Sequence, residues 1–347
     1  MSLKTLTENM LPAIENELQQ VVAQLDTPRL RSFHEMLTYH MGWSGEGHGP
    51  EATGKRIRPL LVLLTCAASV KGENEADPAA GTWQRALPAA ACIELIHNFS
   101  LVHDDIQDGS DLRRGRLTVW KQWGMPQAIN VGDALFILAH LALLETKADF
   151  PLAIPLQAEA IIDAACLALS SGQFLDISYE KQAGLTSEDY WPMVSGKTAA
   201  LLSACTQVGA LLGGADENAQ ESYRSFGHYL GLAFQIQDDY LGIWGDSALT
   251  GKSTESDLVT GKKSLPVLYG LAKNGSFAQR WAKGCIQIEE VSSMSELLAG
   301  EGAKLYTQEA ADQMTDLALQ CLRAADPQGE AGEALFELTQ VLLGRKV

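Results

Sequence analysis

The chain has 347 residues, of which 46% are hydrophobic and 20% are charged, a balance that supports a large buried core and excludes an intrinsically disordered acidic protein. Its 43 acidic residues against 26 basic ones give a formal net charge of −17. Because an acidic surface repels phosphate backbones over a Debye length, nucleic-acid binding is disfavoured unless basic residues cluster locally.

The N-terminal segment and the cysteines bear on the compartment. The first 30 residues contain acidic side chains and no apolar stretch of the signal-peptide type, so we expect no signal peptide. The longest apolar run, residues 60–70, is about half of the ~20 residues that a membrane span needs, so we also expect no membrane span. Six widely spaced cysteines without a C-x-x-C pair predict reduced core thiols in a cytoplasmic protein.

Most of the chain has the apolar period of helices. Helices are predicted over residues 83–108, 126–148, 156–180, 197–212, 219–243 and 302–323. No segment shows the alternation of a strand, and the breaks between helices are short and rich in turn residues. Residues 245–263, rich in Gly, Ser, Thr and Asp, are a candidate mobile loop. No change of composition marks a linker, so the sequence predicts an all-α fold in a single domain over residues 1–347.

The strongest chemical signal lies at the end of the first long apolar helix. Asp104, Asp105 and Asp108 stand at positions i, i+1 and i+4. At about 100° per residue, Asp104 and Asp108 lie about 40° apart and one turn along, so the three carboxylates are expected to fan around one point. Like charges at this spacing repel, and a helix C-terminus disfavours anions, so a cation is needed to offset them. Oxygen donors without His or Cys favour Mg²⁺.

A partial repeat of this signal occurs later in the chain. Asp238 and Asp239 again follow an apolar helix directly, and Asp246 comes further on. One such cluster could be a solvated helix end, but two are less easily accidental. We therefore expect both pairs to point their carboxylates at the mouth of a helical core.

Basic residues accompany both acidic clusters, although the chain is poor in cations. They occur at 54–59 (GKRIRP), at 113–116 (RRGR), at the start of the helix after 196, and at 252, 262 and 263. This placement favours phosphate oxygens held partly by Mg²⁺ and partly by Lys and Arg, with ordinary surface salt bridges as the alternative. A nucleotide-binding P-loop at 49–56 is rejected, because Arg56 stands where that loop needs a hydroxyl and no strand precedes it.

Together these motifs resemble the trans-isoprenyl diphosphate synthases, or polyprenyl synthetases, with five motifs in the family's order between about residues 50 and 270. The resemblance implies an all-α isoprenoid synthase helical bundle around a deep central cavity, usually as a homodimer. It also implies a prenyltransferase that uses two or three Mg²⁺ ions to condense isopentenyl diphosphate with an allylic diphosphate. Diphosphate is released.

The resemblance assigns roles to individual positions. The residues that match the family's metal ligands and catalytic groups are Asp104, Asp105, Asp108, Asp238 and Asp239, with Lys197 as a further catalytic group. The residues that match contacts to isopentenyl diphosphate are Lys55, Arg58, His97 and Arg114. The residues that match contacts to the allylic diphosphate are Arg113, Lys197, Thr198, Gln235, Lys252 and Lys262. On its own, His97 would be interpreted as a core histidine, but it lies about two turns before Asp104, which favours a ligand role.

The second acidic motif departs from the family's pattern. Gly242 stands where a third aspartate often occurs, which reduces the ligand set for a third metal ion. Asp246 is a candidate replacement.

Product length depends on the helix before the first acidic motif. Phe99 precedes Asp104 by five residues and is expected about one and a half turns deeper along the cavity wall, where a ring would block a growing tail. Plain core packing is the alternative. In the family, an aromatic residue here beside a small residue such as Ser100 goes with short products. We expect geranylgeranyl diphosphate (C20), with farnesyl diphosphate (C15) next.

Two other functions stay open. A terpene cyclase on the same fold would need a different metal triad in its later helix, which residues 234–246 do not show. A non-catalytic or weakly active partner subunit of a heteromeric synthase is favoured by Gly242 and opposed by the complete first motif.

Overall fold

A computed structural model describes residues 2–70, 83–245 and 256–344. Within this part of the chain nearly all regular structure is helical, and the all-α prediction is confirmed. The helices in chain order are α1 (Leu3–Val22), α2 (Arg31–His40), α3 (Pro50–Thr53), α4 (Ile57–Ala68), α5 (Leu87–Gln107), α6 (Val119–Trp123), α7 (Met125–Leu144), α8 (Ala153–Lys181), α9 (Ser187–Val194), α10 (Ala200–Leu212), α11 (Glu217–Trp244), α12 (Ser256–Thr260), α13 (Leu265–Lys273), α14 (Ser276–Trp281), α15 (Val291–Gly300), α16 (Ala303–Ala324) and α17 (Gly329–Leu343). Short 3₁₀ turns occur at Ala23–Leu25, Trp83–Ala86, Glu145–Ala148 and Ile288–Glu290.

The strands are a detail that the sequence did not predict. In the described residues they are limited to β1 (Leu112–Arg113) and β2 (Arg116–Leu117), which pair antiparallel with Arg113 opposite Arg116. Two residues per strand are too few to produce a visible alternation of polar and apolar positions. The predicted mobile loop 245–263 is also partly wrong, because residues 256–260 form helix α12; residues 246–255 lie outside the described residues.

The chain divides into two compact units. The first comprises Met1–Asp163, Cys205–Gln220 and Pro327–Leu335. Its central helix is α5, which is buried on nearly every side and packs on α7, α4 and α1. Pro88 stands in the first turn of α5, where a missing N–H is harmless. Asp108 caps the C-terminal end of the helix and is followed by Gly109 in a left-handed conformation. Helix α5 therefore runs through the core of the first unit, and its last turn lies at one end of that core.

The second unit comprises Ala164–Ala204, Glu221–Asp326 and Phe336–Val347. One of its cores joins residues of α9, α11, α13 and α16, with Tyr190 fully buried among them. Helix α9 begins with a capping box, in which Thr186 and Asp189 satisfy each other's backbone N–H groups. This core anchors the C-terminal half of α11, which carries the second acidic pair. That the two units form a single domain stays a prediction.

Two helices are apolar over a longer stretch than the run at residues 60–70 that the sequence analysis identified as the longest. Met125–Ala148 and Ala153–Lys181 are long and apolar enough to cross a membrane, judged by length and composition alone. Of the apolar window in each, 44% and 33% is buried in the protein. Core helices of globular proteins meet the same criterion, so this is weak evidence, and the absence of a membrane span stays a prediction.

The cysteines are all free thiols. Cys66, Cys92, Cys166 and Cys205 are buried, as predicted. Cys285 is exposed and Cys321 is half-buried, so the prediction of core thiols is wrong for Cys285.

Candidate active site

The three carboxylates at the end of α5 differ in solvent exposure. Asp105 is buried, Asp104 is half-buried and Asp108 is exposed. Arg113 Nε donates to Asp105 Oδ1 over 2.8 Å. Burial raises the pKa of Asp105 to about 6, against the lowering effect of Arg113, and the charges of Asp104 and Asp108 add to the rise. The predicted repulsion is therefore present, but the three groups are not among those that bring ligand atoms within 4.8 Å of one another, and Asp105 pairs with Arg113.

The β1–β2 hairpin supplies the arginines of this site. Arg114 and Gly115 have φ values of 51° and 73°, as a type I′ turn requires. This turn directs Arg113 to Asp105, and Arg114 Nη1 donates to the carbonyl of Ala52 over 2.7 Å. Arg116 donates to the carbonyls of Tyr39, Ser44 and Glu46 and lies 3.9 Å above the ring of Tyr39. Arg116 is thus a structural residue of the hairpin base.

The second basic segment lies at the start of α4. Lys55 is exposed, and Arg58 Nη1 donates to His97 Nε2 over 3.2 Å. Burial and the positive charge of Arg58 lower the pKa of His97 well below its usual range, so the ring is neutral and accepts this hydrogen bond. Arg58 Nε is buried and has no hydrogen-bond partner in the structure. A buried donor without a partner is unusual in a folded protein and is suited to a bound anion.

Arg56 fixes this segment from inside, a role that the sequence did not suggest. The residue has φ 48° and is 4% exposed. Its guanidinium donates to Glu15 Oε1 over 2.5 Å and to Glu94 Oε1 over 2.7 Å. Asn98 Nδ2 donates to the same Glu94 oxygen. The network holds the turn between Lys55 and Arg58. The signal available in the sequence was Glu94, a charge within the otherwise apolar segment 86–96.

The predicted chain-length residues, Phe99 and Ser100, lie between one and one and a half turns before Asp104 on α5. Phe99 is half-buried, and its ring is in edge contact with His103 and with Phe136 of α7, at centroid distances of 5.5 and 4.9 Å. Phe136 in turn contacts His140 at 4.6 Å. Ser100 is buried and its hydroxyl donates to the His97 carbonyl. Phe99 is therefore the first ring of an aromatic column that continues onto α7.

In the second unit, Lys197 lies in a π-helical turn, Ser195–Ala199, that joins α9 to α10. Its ammonium group donates to Asp176 of α8. The two segments approach closely because both carry glycine: a Cβ on Gly172 would lie 2.1 Å from Lys197 N, and one on Gly196 would lie 2.5 Å from the Ala168 carbonyl oxygen. The π turn and this close approach set the position of Lys197, and π turns are frequent at functional sites.

Asp239 is the centre of a hydrogen-bond network. It is 1% exposed, and its oxygens accept from Tyr190 Oη at 2.7 Å, Gln235 Nε2 at 2.9 Å and the Leu265 backbone N–H at 3.2 Å. Lys262 Nζ lies 3.5 Å from Asp239 Oδ1. Burial alone would lower the pKa of Lys262, but Asp239 and its acidic neighbours raise it overall, so the ammonium group stays charged.

The network extends to the other predicted residues of this unit. Thr198 Oγ1 donates to Gln235 Oε1 over 2.9 Å, and Gln235 Nε2 donates in turn to Asp239 Oδ1. Asp238, beside Asp239 on α11, is half-buried. The structure thus brings together, within the second unit, Lys197, Thr198, Gln235, Asp238, Asp239 and Lys262. Lys252 and Asp246 lie outside the described residues.

Several partners of the predicted residues were missed by sequence reasoning. They are Glu15, Arg56, Glu94, Asp176 and Tyr190. Burial and the neighbouring carboxylates raise the pKa of the Tyr190 hydroxyl well above its usual range, so it stays protonated and donates to Asp239. A lone charge or phenol in an apolar helix is the signal that such residues leave in a sequence.

The donor chemistry of the two acidic pairs fits Mg²⁺. This ion uses one or two carboxylates and completes its octahedron with water and substrate phosphate oxygens. Asp104 and Asp108 of the first unit, and Asp238 of the second, are more accessible than their buried neighbours. Among the described residues, a tighter cluster with ligand atoms within 4.8 Å of one another occurs only at His140, Glu159 and Asp163. Its histidine makes it a poorer match for a hard ion.

Comparisons with known proteins agree with this chemistry. A family model described as polyprenyl synthetase matches residues 48–298. The (2E,6E)-farnesyl diphosphate synthase of Mycobacterium tuberculosis is 38% identical over 340 residues, covering 95% of this chain and 89% of that protein. The geranylgeranyl diphosphate synthase of that organism is 36% identical over 318 residues, covering 90% and 86%.

The fold agrees as well. The crystal structure of a polyprenyl synthetase from Streptomyces coelicolor superposes with a TM-score of 0.85 at 34% identity, covering 99% of this chain and all of that one. The all-α isoprenoid synthase fold that the motifs implied is thereby confirmed. With a family match over most of its length and relatives well above 30% identity, the chain belongs to the polyprenyl synthetase family.

Proposed function

We propose that the chain is a Mg²⁺-dependent prenyltransferase that joins isopentenyl diphosphate to an allylic diphosphate and releases diphosphate, forming a short-chain trans-prenyl diphosphate. The observation that carries this proposal is that each unit sets cationic side chains beside an aspartate pair, Arg113 at Asp105 and Lys262 at Asp239. Relatives named farnesyl and geranylgeranyl diphosphate synthases support the short product.

The first unit provides the proposed site for isopentenyl diphosphate. Arg58 has a buried Nε donor that an oxyanion would satisfy, and neutral His97 orients its guanidinium. Lys55 and Arg114 are exposed cations on neighbouring loops of the same unit. Charge-assisted bonds from Arg are about twice as strong as neutral ones, which favours a diphosphate over a neutral ligand.

The second unit provides groups for the allylic diphosphate. Lys197 is bonded to Asp176, and Thr198 to Gln235. Lys262 lies beside Asp239, which accepts from Gln235. The polar groups of these three side chains are therefore positioned before a ligand binds. We assign Arg113 and Lys252 to the same diphosphate on the family resemblance. Positioned donors of this kind lower the barrier because they need no reorganisation during the reaction.

Asp104, Asp108 and Asp238 are the groups that we expect to hold two or three Mg²⁺ ions, with Asp105 and Asp239 positioning them from behind. Bound Mg²⁺ supplies charge neutralisation for the departing diphosphate. The allylic carbon–oxygen bond breaks with its electron pair leaving on diphosphate, and the isopentenyl double bond forms the new carbon–carbon bond. A proton is then lost, for which the departing diphosphate is the proposed acceptor.

The apolar surface of α7 supports a homodimer as part of this proposal. Five large apolar residues on this helix are 43–56% exposed and recur every three, four or eight positions: Met125, Ile129, Ile137, Leu141 and Leu144. Such a stripe on one face of a helix is typical of a covered interface. We propose that a second copy of the chain covers it, and that the protein is cytoplasmic, as its free thiols suggest.

Incubation with Mg²⁺, isopentenyl diphosphate and separate C5, C10 and C15 allylic primers tests the function. We expect diphosphate release with at least one primer and a product of C20, or else C15, on chromatography. Matched reactions with Asp104→Asn protein control for the acidic motif. Absence of diphosphate release with every primer would reject the enzyme and favour a partner subunit, and a cyclic hydrocarbon from one substrate alone would favour a terpene cyclase.

A further inference from the structure

A cluster of metal-ligating side chains lies on helices other than α5 and α11. His140 of α7 and Glu159 and Asp163 of α8 each offer one ligand atom, and these atoms lie within 4.8 Å of one another. His140 Nδ1 is 2.7 Å from Glu159 Oε1 and 3.9 Å from Asp163 Oδ1. All three residues belong to the first unit. Side chains of two consecutive long helices therefore meet around one point.

The spacing of these atoms suits a bound metal ion. Tetrahedral bonds of about 2.0–2.1 Å place ligand atoms about 3.3 Å apart. The distances from His140 Nδ1 to the two carboxylates, 2.7 and 3.9 Å, lie on either side of that value. Shifts of roughly 0.6 Å bring both distances to it. The ring of His140 is in edge contact with the ring of Phe136, which restricts its rotation. The donors are thus close to their final positions before an ion binds.

Glu159 has a carboxylate oxygen that the protein leaves unsatisfied. Its Oε1 pairs with His140, whereas its Oε2 is buried and has no hydrogen-bond partner in the structure. Nearly all buried polar atoms in folded proteins are hydrogen-bonded. A carboxylate oxygen can only accept, so the partner that it lacks is a donor or a cation. An ion bound at the cluster would contact this same carboxylate.

The charge of the cluster also calls for a cation. Glu159 and Asp163 stand four residues apart on α8, where like charges repel. Helix α7 contains no Lys or Arg, and α8 has none before Lys181 at its far end. The ion pairs that these two carboxylates make in the described part of the chain are with His140, which is charged only when protonated. A divalent cation at this point would offset both negative charges.

We propose that His140, Glu159 and Asp163 bind Zn²⁺ and that this ion clamps α7 to α8. Imidazole favours Zn²⁺ over Mg²⁺, which separates this site from the aspartate pairs. Three protein ligands leave the fourth position to water. The ion replaces the proton that His140 and Glu159 share, because a histidine ligand binds metal through a deprotonated ring nitrogen. The clamp fixes the helix that carries Phe136 and the exposed apolar stripe, and it takes no part in the proposed reaction.

Calorimetric titration of metal-free protein with Zn²⁺ tests the site in the absence of substrate. Excess Mg²⁺ is present throughout to occupy the aspartate pairs. We expect one Zn²⁺ to bind per chain, because affinity at a site with a nitrogen donor rises from the hard ions to Zn²⁺. Absence of saturable Zn²⁺ binding under these conditions would overturn the proposal.

Asp163→Asn distinguishes a metal site from an ordinary pair of His140 with Glu159. The Asp163 side chain is 61% exposed, so this change removes one ligand charge and leaves the hydrogen bond between the other two residues in place. We expect Zn²⁺ affinity to fall at least about tenfold, a loss that even indirect contacts to a metal produce. The metal-free variant should melt as wild type does.

Two histidine variants complete the comparison. His140→Gln should lose measurable Zn²⁺ binding. His34→Gln is the matched control, because His34 lies 4.0 Å from a single carboxylate, that of Asp26, and this variant should bind as wild type does. Wild-type affinity in either Asp163→Asn or His140→Gln would place the ion elsewhere and reject the site.

Thermal unfolding provides an independent readout of the clamp. An ion that binds only the folded chain raises the melting temperature, so Zn²⁺ should stabilise wild type and the His34→Gln control. An equal rise in Asp163→Asn would contradict the clamp. Because neither measurement involves substrate, failure of the Zn²⁺ site would leave the proposed prenyltransferase standing, and absence of diphosphate release would leave the Zn²⁺ site standing.

Discussion

At the scale of single residues, the two aspartate pairs share one arrangement. In each pair the second residue, Asp105 or Asp239, is buried and accepts hydrogen bonds from its own unit. The first residue, Asp104 or Asp238, is half-buried. Neighbouring residues on a helix point about 100° apart, so one can face the core while the other faces its mouth. Adjacent identical residues therefore have different roles.

Substitution of the second pair should reveal this difference. We expect Asp239→Asn to lower the free energy of unfolding by about 1–3 kcal/mol, because the amide cannot accept from Tyr190, Gln235 and Leu265 together. Asp238→Asn should leave stability within about 0.5 kcal/mol and chiefly lower turnover. Urea denaturation and diphosphate release measure the two effects. Equal stability losses in both variants would refute the division of roles.

At the scale of elements, the start of α4 depends on a buried ion network. Arg56 and Glu94 have side chains that are 2% and 4% exposed, so removing the charge of Arg56 leaves Glu94 buried without its ion-pair partner. The sequence pattern identified the basic segment and the helix after it. It did not identify Arg56 as an internal residue, because partners 38 and 41 positions away in sequence cannot be paired from local spacing.

Two neighbouring arginines should therefore respond differently to the same change. Arg56→Gln is expected to lower the free energy of unfolding by about 3–5 kcal/mol. Arg58→Gln should leave stability nearly unchanged and raise the KM for isopentenyl diphosphate. Denaturant titration and steady-state kinetics provide the comparison. An Arg56→Gln protein as stable as wild type would show that the network does not support the fold.

The aromatic column between α5 and α7 is a second feature at this scale. The sequence placed Phe99 on the wall before the acidic motif, and the structure adds Phe136, which contacts it at 4.9 Å. The second ring lies 37 positions later in the chain, beyond the reach of any helical period. Contact between helices α5 and α7 brings it into the column.

Removing the rings one at a time should change product length in steps. We expect Phe99→Ala to lengthen the product by at least one five-carbon unit, and Phe99→Ala with Phe136→Ala to lengthen it further. Phe136→Ala alone should have a smaller effect, because the ring of Phe99 is still present to block the growing product. Chromatography of the products decides the point. An unchanged distribution in the double variant would assign both rings to core packing.

At the scale of the whole molecule, the helical class, the family and the positions of six helices followed from the sequence, because apolar period and motif order are local properties. Helix ends agreed to within about four residues; the predicted helix at 83–108 begins as the turn Trp83–Ala86 and continues as α5. The division into two units depends on contacts distant in sequence and was not predicted. The net charge of −17 likewise does not predict where the Lys and Arg side chains lie in the fold.

The proposed dimer makes a prediction at this scale. Ile137→Glu places a charge in the middle of the exposed stripe on α7, where the side chain is 56% exposed and its removal leaves the core intact. We expect light scattering to report a monomer for this variant and a dimer for wild type. Leu305→Glu, at an exposed position of α16, is a control that should stay dimeric. A monomeric wild-type protein would rule out the proposed interface.

The π-helical turn at Ser195–Ala199 has a consequence for insertions and deletions. A π turn is an α-helix that has accepted one additional residue. Deleting one residue from this turn would restore a regular helix from α9 into α10 without breaking the chain's path. A deletion on the C-terminal side of Lys197 would also rotate this residue by about 100° relative to α10. This turn is therefore a place where the chain could shorten and keep a helix, yet lose the lysine from its position beside Asp176.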